Sequence, residues 1–392
     1  MEVSSLRSLT KSKIPNPKFI EIPRREHRNR MKISKPAIHQ IVAGFVDGDA
    51  ISNLALTLQG VFRGWGYDSE IFCPRRHITP KMSGRAKDIG EHRPLSCRGH
   101  IVIFHFSIGS ETTEYFARLP ERKVLVYHNI TPGHYYRSLY DGRETLLTQG
   151  RKELKALAST PDLSLADSSF NAGELEEAGF RNVRVMPIIL NMDHLSCPPD
   201  RSIVTRYRDG MKNILFVGRI VPNKRFEDLI KACYAYRLFL NRKARLLLVG
   251  SYIDLERYLA LLRNMVRELK LDNVIFTGHI RLEQLTAYYR AADLFLCMSE
   301  HEGFCIPLLE AMHFGIPILA YGAAAVPETL GGSGVLVREK DFPRIAELMD
   351  LLLNDVSLRE GIIRRQRGRL RDFDPAHLEK KLKGYLAPWL PS

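Results

Sequence analysis

The chain of 392 residues is 45% hydrophobic and 26% charged, a composition typical of a globular protein with two or three domains. Lysine and arginine outnumber aspartate and glutamate by 58 to 44, so the formal net charge is +14. No apolar run approaches the roughly 18 residues that a membrane-spanning helix needs. The six cysteines are scattered without a C-x-x-C pair, which argues against a disulfide framework or a zinc site. We therefore expect a cytoplasmic protein with free thiols.

Half of the net charge lies in residues 1–36, which hold ten lysines and arginines, three glutamates and four prolines. This composition predicts a basic, disordered tail. One interpretation is an upstream start codon, with Met31 as the alternative start. The other is a tail that binds anionic lipid at the inner face of the membrane, because each basic residue near such a surface contributes about 1 kcal/mol.

From residue 38 onward, short apolar segments alternate with amphipathic ones. Helices are predicted at 50–64 and 172–178. The predicted strands are 38–43, 71–73, 101–104, 124–127, 163–166 and 183–186. Strands separated by helices imply right-handed crossovers and a parallel sheet with both faces covered. This pattern predicts a first α/β domain over residues 37–192.

Residues 193–211 are polar and interrupted by proline, which predicts a linker. A second α/β series follows and predicts a second domain over residues 212–372. Its predicted strands are 214–217, 245–249, 274–277, 294–297, 318–321 and 334–337. Two further helices are expected at 357–371 and 377–385.

Glu302 and Glu310 bracket seven residues between an apolar, strand-like segment and a helix signal. Pro307 suits the first helical position, where its missing N–H needs no partner, so Glu310 is expected in the first turn. Residues Gly303, Phe304 and Cys305 then offer free backbone N–H groups at a helix N-terminus. Such groups bind phosphate and other anions.

A basic loop, Gly218-Arg219 to Lys224, follows the first strand of the second series. In an open parallel sheet, ligands gather at the carboxyl ends of the strands, where this loop lies. Arg219 offers a planar fork and Lys224 a compact charge for phosphate oxygens. The alternative is a solvated loop in which Lys224 pairs with Glu227 or Asp228.

Together with Pro327-Glu328 downstream, these elements resemble those of glycosyltransferase family 4, and the resemblance covers residues from about 38 to about 385. It implies the GT-B fold, in which two Rossmann-like, parallel-sheet domains face an interdomain cleft. The first domain binds the acceptor and the second binds the nucleotide-sugar donor. In that fold the final helix returns to the first domain, so residues 373–392 are expected to cross back.

The resemblance also implies roles for individual residues. Gly218 lets the chain pass close to the ligand, and Arg219 with Lys224 holds the diphosphate and stabilises it as it leaves. Glu302 accepts hydrogen bonds from hydroxyls of the sugar, and Glu310 binds the ribose hydroxyls.

His128 ends a strand of the first domain at the family position that lies close to the transferred sugar, and Glu328 matches a carboxylate on the donor side. His105 lies at a similar strand end. The chain departs from the family at Arg225 and at Ala324-Ala325, where glycines are usual. Because of these substitutions, the sequence does not determine the shape of the pocket at either place.

The segment Asp47-Gly48-Asp49 is similar to the Asp-x-Asp metal site of the other large glycosyltransferase fold. It lies in the predicted acceptor domain, however, and Asp49 suits the N-cap of the following helix. We therefore expect no metal and no cofactor other than the donor substrate.

These observations predict a glycosyltransferase of the hexosyltransferase type. It would move a sugar from a nucleotide-sugar to a glycan, lipid or small-molecule acceptor, with retention of configuration. An epimerase or phosphorylase on the same fold is the first alternative. A nucleic-acid-binding protein is the second, suggested by the positive net charge, but no aromatic–basic pattern for binding bases is present. A dehydrogenase lacks its G-x-G-x-x-G turn.

Overall fold

The computed structural model describes residues 36–94, 100–139 and 142–390. The predicted basic tail therefore lies outside the described residues except for Pro36. Within the described part, the first sheet contains seven parallel strands in the order β3-β2-β1-β4-β5-β6-β7. Its strands are β1 Ala37–Val42, β2 Ile71–Cys73, β3 Lys87–Asp88, β4 His100–Phe106, β5 Arg122–Tyr127, β6 Leu163–Ala166 and β7 Val183–Val185.

The second sheet is also parallel and has six strands among the described residues, in the order β10-β9-β8-β11-β12-β13. They are β8 Lys212–Val217, β9 Ala244–Val249, β10 Val274–Gly278, β11 Leu294–Cys297, β12 Ile318–Tyr321 and β13 Val335–Val337. The strand order reverses between β1 and β4 in the first sheet and between β8 and β11 in the second. A crevice opens at such a reversal, outside the carboxyl ends of the strands.

Only short 3₁₀ helices lie between β2 and β3, whereas α-helices connect most consecutive strands, as is usual for parallel pairing. They are α1 Ala50–Gly64, α2 Glu111–Arg118, α3 Arg143–Ala156, α4 Ser169–Glu177, α5 Arg201–Tyr207, α6 Phe226–Phe239, α7 Glu256–Glu268, α8 Leu282–Ala291, α9 Ile306–His313, α10 Val326–Leu330, α11 Phe342–Asn354, α12 Val356–Leu370 and α13 Pro375–Leu386. All seven residues of β4 and all six of β9 are buried, because helices cover both faces of each sheet. The predicted α/β class with two parallel sheets is confirmed.

The segment predicted as a linker, residues 193–211, contains the helix α5. Asp200 caps this helix by accepting a hydrogen bond from the backbone N–H of Ser202. The Asp200 N–H in turn donates to the carbonyl of Glu283 at 2.9 Å, which ties the segment to α8. The prolines at 198 and 199 precede the cap, so they stand where a helix begins and do not interrupt it.

The C-terminal helix α13 packs against the first domain. The indole N–H of Trp65 donates to Glu379 at 2.7 Å, and the hydroxyl of Tyr385 donates to the carbonyl of Val185 at 3.4 Å. The chain thus passes between the two sheets twice. Among the described residues, no helix is long and apolar enough to cross a membrane.

Candidate active site

Two loops at the carboxyl ends of β8 and β9 approach each other closely. A Cβ atom on Gly250 would lie 2.0 Å from the carbonyl oxygen of Gly218, so only glycine fits there. The side chain of Lys224 folds back over Gly218, and a Cβ on Gly218 would lie 3.3 Å from its Cδ. The loop that carries Lys224 is therefore held tightly over the end of the sheet.

Lys224 reaches across this end of the sheet to Glu302. Its Nζ donates to Oε1 of Glu302 at 2.7 Å, and the two side chains are only 15% and 10% exposed. Burial opposes the charged form of Lys224, but the Glu302 carboxylate outweighs it and raises the pKa of the ammonium. The predicted alternative partners of Lys224, Glu227 and Asp228, instead bind Arg225, at 2.9 and 3.1 Å.

Arg219 is exposed, and its guanidinium donates to the carbonyl of Ile253 at 3.4 Å. Burial raises the pKa of the Tyr136 hydroxyl, and the positive charges of Arg143, Arg219 and Lys224 oppose the rise. Tyr136 of the first domain thus faces both predicted phosphate-binding side chains. The structure brings Arg219 and Lys224 to the same interdomain surface.

The loop between β11 and α9 leaves its backbone N–H groups available. Those of Gly303, Phe304 and Cys305 have no hydrogen-bond partner among the described residues. Cys305 adopts a left-handed conformation, with φ 73° and ψ 63°, as the N-cap of α9. Three unpaired N–H groups before a helix N-terminus favour an anion, since the helix dipole is positive there.

Helix α9 begins at Ile306, so Pro307 is its second residue and Glu310 its fifth. The prediction that Pro307 would open the helix and Glu310 would lie in its first turn was wrong, because the left-handed Cys305 starts the helix one residue earlier. Glu310 accepts a hydrogen bond from the hydroxyl of Tyr289 at 2.5 Å, and burial raises the pKa of its carboxyl group. Its side chain is therefore directed at α8.

A cavity of about 860 Å³ opens away from these residues. It lies between α1, residues 189–193, the second half of α9 and the start of α13, and it is lined by Leu309 and His313. Arg219, Lys224 and Glu302 do not line it. Of the residues predicted to bind the donor, Gly303 and Glu328 instead contact the first domain.

The first domain closes directly over Gly303. The hydroxyl of Ser168 donates to the carbonyl of Gly303 at 2.8 Å, and His301 contacts the Asn129 amide oxygen at 2.6 Å. A Cβ on Gly303 would lie 2.7 Å from the Cβ of Asn129 and 3.0 Å from the carbonyl of His128. The absence of a side chain at Gly303 allows this approach.

Glu328 also joins the domains. Its carboxylate accepts hydrogen bonds from the backbone N–H of Ser169 at 2.6 Å and from the Ser169 hydroxyl at 3.0 Å. Ser169 is the first residue of α4, so a carboxylate of the second domain caps a helix of the first. Neither Ser168 nor Ser169 was predicted as a site residue; their place just after β6, at the carboxyl edge of the sheet, was the available signal.

His128 is buried within a row of polar side chains. Its Nδ1 lies 2.8 Å from Oδ2 of Asp167, and its Nε2 lies 2.9 Å from Nδ1 of His105. The Nε2 of His105 lies 2.9 Å from Oε1 of Gln40. The His128 side chain is only 4% exposed. Both ring nitrogens that could reach a sugar are therefore engaged within the first domain.

The segment Asp47-Gly48-Asp49 forms ordinary surface contacts. Asp49 caps α1 by accepting from the N–H of Ser52 at 2.9 Å, as predicted, and Asp47 pairs with Lys81 at 3.2 Å. The described residues contain no group of three or more side chains suited to hold a metal ion.

This arrangement is similar to that of known proteins. Residues 203–369 match the family model described as Glycosyl transferases group 1. Sucrose-phosphate synthase from Thermosynechococcus elongatus superposes with a TM-score of 0.69 and 17% identity, over 90% of this chain and 98% of that one. HepE from Anabaena, solved with UDP-glucose, gives a TM-score of 0.63 and 16% identity, over 90% and 99%. The fold is GT-B, and residues 203–369 form a group 1 glycosyltransferase domain.

Curated relatives align with this chain over a limited length. The capsular polysaccharide biosynthesis glycosyltransferase CapM of Staphylococcus aureus is 29% identical over 166 residues, 40% of each protein. A GDP-mannose-dependent phosphatidylinositol monomannoside mannosyltransferase of Corynebacterium glutamicum is 30% identical over 169 residues, 40% of this chain and 43% of the relative. The alignments thus span about two fifths of the relatives' length.

The backbone is left-handed at two of the positions where the resemblance leads us to expect glycine. Arg225 has φ 52° and Ala324 has φ 50°, the left-handed conformation in which glycine carries no steric cost. For other residues that conformation costs roughly 1–2 kcal/mol. Arg225 also forms ion pairs with Glu227, Asp228 and Glu300.

Proposed function

We propose that this protein transfers a hexose from a nucleotide-sugar to an acceptor, with retention of configuration. One observation carries the proposal: the buried Lys224–Glu302 pair lies beside the unpaired N–H groups of residues 303–305, at the carboxyl end of the second sheet. A cation and oriented N–H groups bind a diphosphate, while a carboxylate accepts hydrogen bonds from sugar hydroxyls.

In this proposal Lys224 and Glu302 exchange partners when the donor binds. Without donor, each neutralises the other at 2.7 Å. With donor, Lys224 and Arg219 bind the phosphates, and Glu302 accepts from the sugar. Catalysis then rests on stabilising the departing diphosphate through cations and the α9 N-terminus, without a metal. Glu310 would bind the ribose hydroxyls, which requires its carboxylate to turn from Tyr289.

Donor entry requires the two domains to separate, because Gly303 contacts Asn129 and Ser168. Reclosure over the donor would then exclude water from the cleft. The acceptor would bind to the first domain. The names of the relatives support a glycan or a lipid-linked sugar as acceptor, which favours action in the cytoplasm at the inner face of the membrane.

The test has two steps. Melting temperatures are first measured with UDP-, GDP- and ADP-sugars; a ligand at 100 times its dissociation constant adds about 2.7 kcal/mol to the stability. We expect one nucleotide series to stabilise the wild type but not the Lys224→Ala variant. No shift with any nucleotide-sugar would contradict the proposal.

The second step follows the sugar of the donor that binds, with and without candidate acceptors. A transferase forms a new glycoside only when an acceptor is present, and nuclear magnetic resonance of the anomeric proton reports retention. Conversion of the donor without acceptor would indicate an epimerase instead. Phosphate-dependent release of the sugar would indicate a phosphorylase.

A further inference from the structure

Four polar side chains form a continuous row across the carboxyl edge of the first sheet. Gln40 lies in β1, His105 in β4, His128 directly after β5 and Asp167 directly after β6, and these four strands are consecutive neighbours. The row is buried: Gln40 is 0%, His105 1% and Asp167 3% exposed. Buried polar groups need fully matched donors and acceptors, so the positions of the protons can be worked out from the contacts.

The contact between Gln40 and Ala55 determines which atoms of the row donate hydrogen bonds and which accept them. The carbonyl of Ala55 only accepts, so the group of Gln40 that lies 2.9 Å from it is the NH₂. The other end of that amide is therefore an oxygen, which must accept. His105, whose Nε2 lies 2.9 Å away, consequently carries a proton on Nε2.

The remaining two contacts need one proton each. One lies between Nδ1 of His105 and Nε2 of His128, and the other between Nδ1 of His128 and the carboxyl group of Asp167. Two neutral imidazoles supply two N–H protons, whereas the row requires three. The third proton makes the histidine pair cationic, and the Asp167 carboxylate balances it.

The extra charge belongs on His128. Burial and the neighbouring His128 lower the pKa of His105 well below its usual range, which keeps His105 neutral. His128 is the member in contact with Asp167, whose other oxygen, Oδ1, has no hydrogen-bond partner among the described residues. Nearby titratable groups include Glu174 and Arg151, which bind each other, Tyr127, which donates to Glu174, and His301.

We propose that Gln40, His105 and Asp167 are positioning residues that hold His128 as a doubly protonated, positively charged ring. This inference rests on the proposed function and refines it. His128 has no free lone pair and cannot act as a general base. The backbone carbonyl of His128 would lie 3.0 Å from a Cβ on Gly303, so this residue belongs to the face of the first domain opposite the site proposed for the diphosphate. There the positive end of the His128–Asp167 ion pair favours the departing anion.

The central experiment is the Asp167→Asn substitution in the full-length protein. An asparagine amide can donate to Nδ1 of His128, so the ring keeps its place while it loses one proton. Nitrogen-15 resonances of histidine-labelled protein report both ring nitrogens, and the His128 signals are assigned by their loss in His128→Asn. We expect two N–H protons on His128 in the wild type and one in Asp167→Asn.

The kinetic measurement distinguishes loss of the positive charge on His128 from a general disturbance of the structure. We expect Asp167→Asn to lower kcat about 100-fold with KM for the donor nearly unchanged. Ser164→Ala, which alters another buried side chain of the same sheet, should leave kcat as in the wild type. A singly protonated His128 in the wild type overturns the proposal even if the protein proves not to be a glycosyltransferase. Wild-type kcat in a singly protonated Asp167→Asn variant overturns the catalytic use of the charge.

Discussion

The ammonium of Lys224 and the carboxylate of Glu302 lie 2.7 Å apart, although the two residues are 78 positions apart in the sequence. Both side chains are largely buried, so each depends on the other for compensation of its charge. Removing one partner of a buried ion pair typically costs about 3–5 kcal/mol, because the other charge stays behind without compensation. The same pair can therefore be tested for stability and for turnover.

We expect Glu302→Ala to lower the unfolding free energy by about 3–5 kcal/mol and transfer by about 100–1000-fold. Denaturant unfolding and steady-state kinetics measure the two effects. The matched control is the double variant Lys224→Met/Glu302→Leu, which removes both charges. It should recover most of the stability and none of the activity. Near-normal stability and turnover in Glu302→Ala would refute the paired site.

Gly303→Ala tests the contact between the domains. The added Cβ would lie 2.7 Å from the Cβ of Asn129, closer than real Cβ atoms approach, and 3.0 Å from the carbonyl of His128. The domains should therefore stay apart, with a larger radius of gyration by small-angle scattering and at least about 100-fold slower transfer. Gly368→Ala in α12 is the control, since an added Cβ meets nothing within 4 Å. A compact, active Gly303→Ala would contradict the closed contact.

Much of the fold was predictable because strand and helix signals are local. Ala50–Gly64 and Ile71–Cys73 were predicted with their observed bounds, since a capping aspartate and short apolar runs mark them. The two-residue strand Lys87–Asp88 was missed, because it is exposed at the sheet edge and carries no apolar pattern. The helix Arg201–Tyr207 was missed because adjacent prolines suggested a linker.

The candidate site was predictable only in part. The spacing of Glu302 and Glu310 pointed to the loop before α9, but side-chain direction depends on packing, and Tyr289 attracts Glu310 towards α8. The engagement of His128 by Asp167 and His105 requires contacts between neighbouring strands that are 39 and 23 residues apart in sequence. No local pattern encodes such contacts.

The contact of Glu328 with the first residue of α4 predicts an electrostatic clasp, by which we mean that this contact holds the two domains together and weakens as the salt concentration rises. A carboxylate at a helix N-terminus contributes about 0.3–1 kcal/mol at low ionic strength. Glu328→Gln keeps the shape of the side chain and loses its charge. Without donor, the two domains of the variant should therefore separate more often, and the radius of gyration from small-angle scattering should depend less on salt. Ser169→Ala removes only the hydroxyl donor and should have a smaller effect. If Glu328→Gln alters only donor affinity, the carboxylate acts on the donor and not as a clasp.

Adjacent alanines with opposite backbone conformations offer a stability test. Ala324 has φ 50°, whereas Ala325 has φ −79° and is buried. Glycine at 324 should relieve left-handed strain and raise the unfolding free energy by up to about 1 kcal/mol, after its entropic cost is subtracted. Glycine at 325 has no strain to relieve and should lower the unfolding free energy by about 0.5–1 kcal/mol. Destabilisation by Ala324→Gly would show that this backbone carries no strain.

The buried carboxyl group of Glu310 predicts a pH-dependent stability. Its pKa is raised by burial, so the folded protein binds this proton more tightly than the unfolded chain does. Its contribution is therefore complete below the ordinary pKa of about 4.3 and is lost as the pH rises through the folded value. Glu310→Gln can still accept from Tyr289 and removes this loss, so the variant should melt higher than the wild type at about pH 7.

That difference in melting temperature should shrink as the pH falls towards about 4, where Glu310 of the wild type is protonated as well. The exposed Glu339→Gln serves as the control and should show no pH-dependent difference. The same Glu310→Gln variant should bind nucleotide more weakly, because an ionised carboxylate accepts from both ribose hydroxyls whereas an amide offers one oxygen. If the melting temperature of Glu310→Gln were higher by the same amount at every pH, improved packing, and not removal of the buried charge, would stabilise the variant.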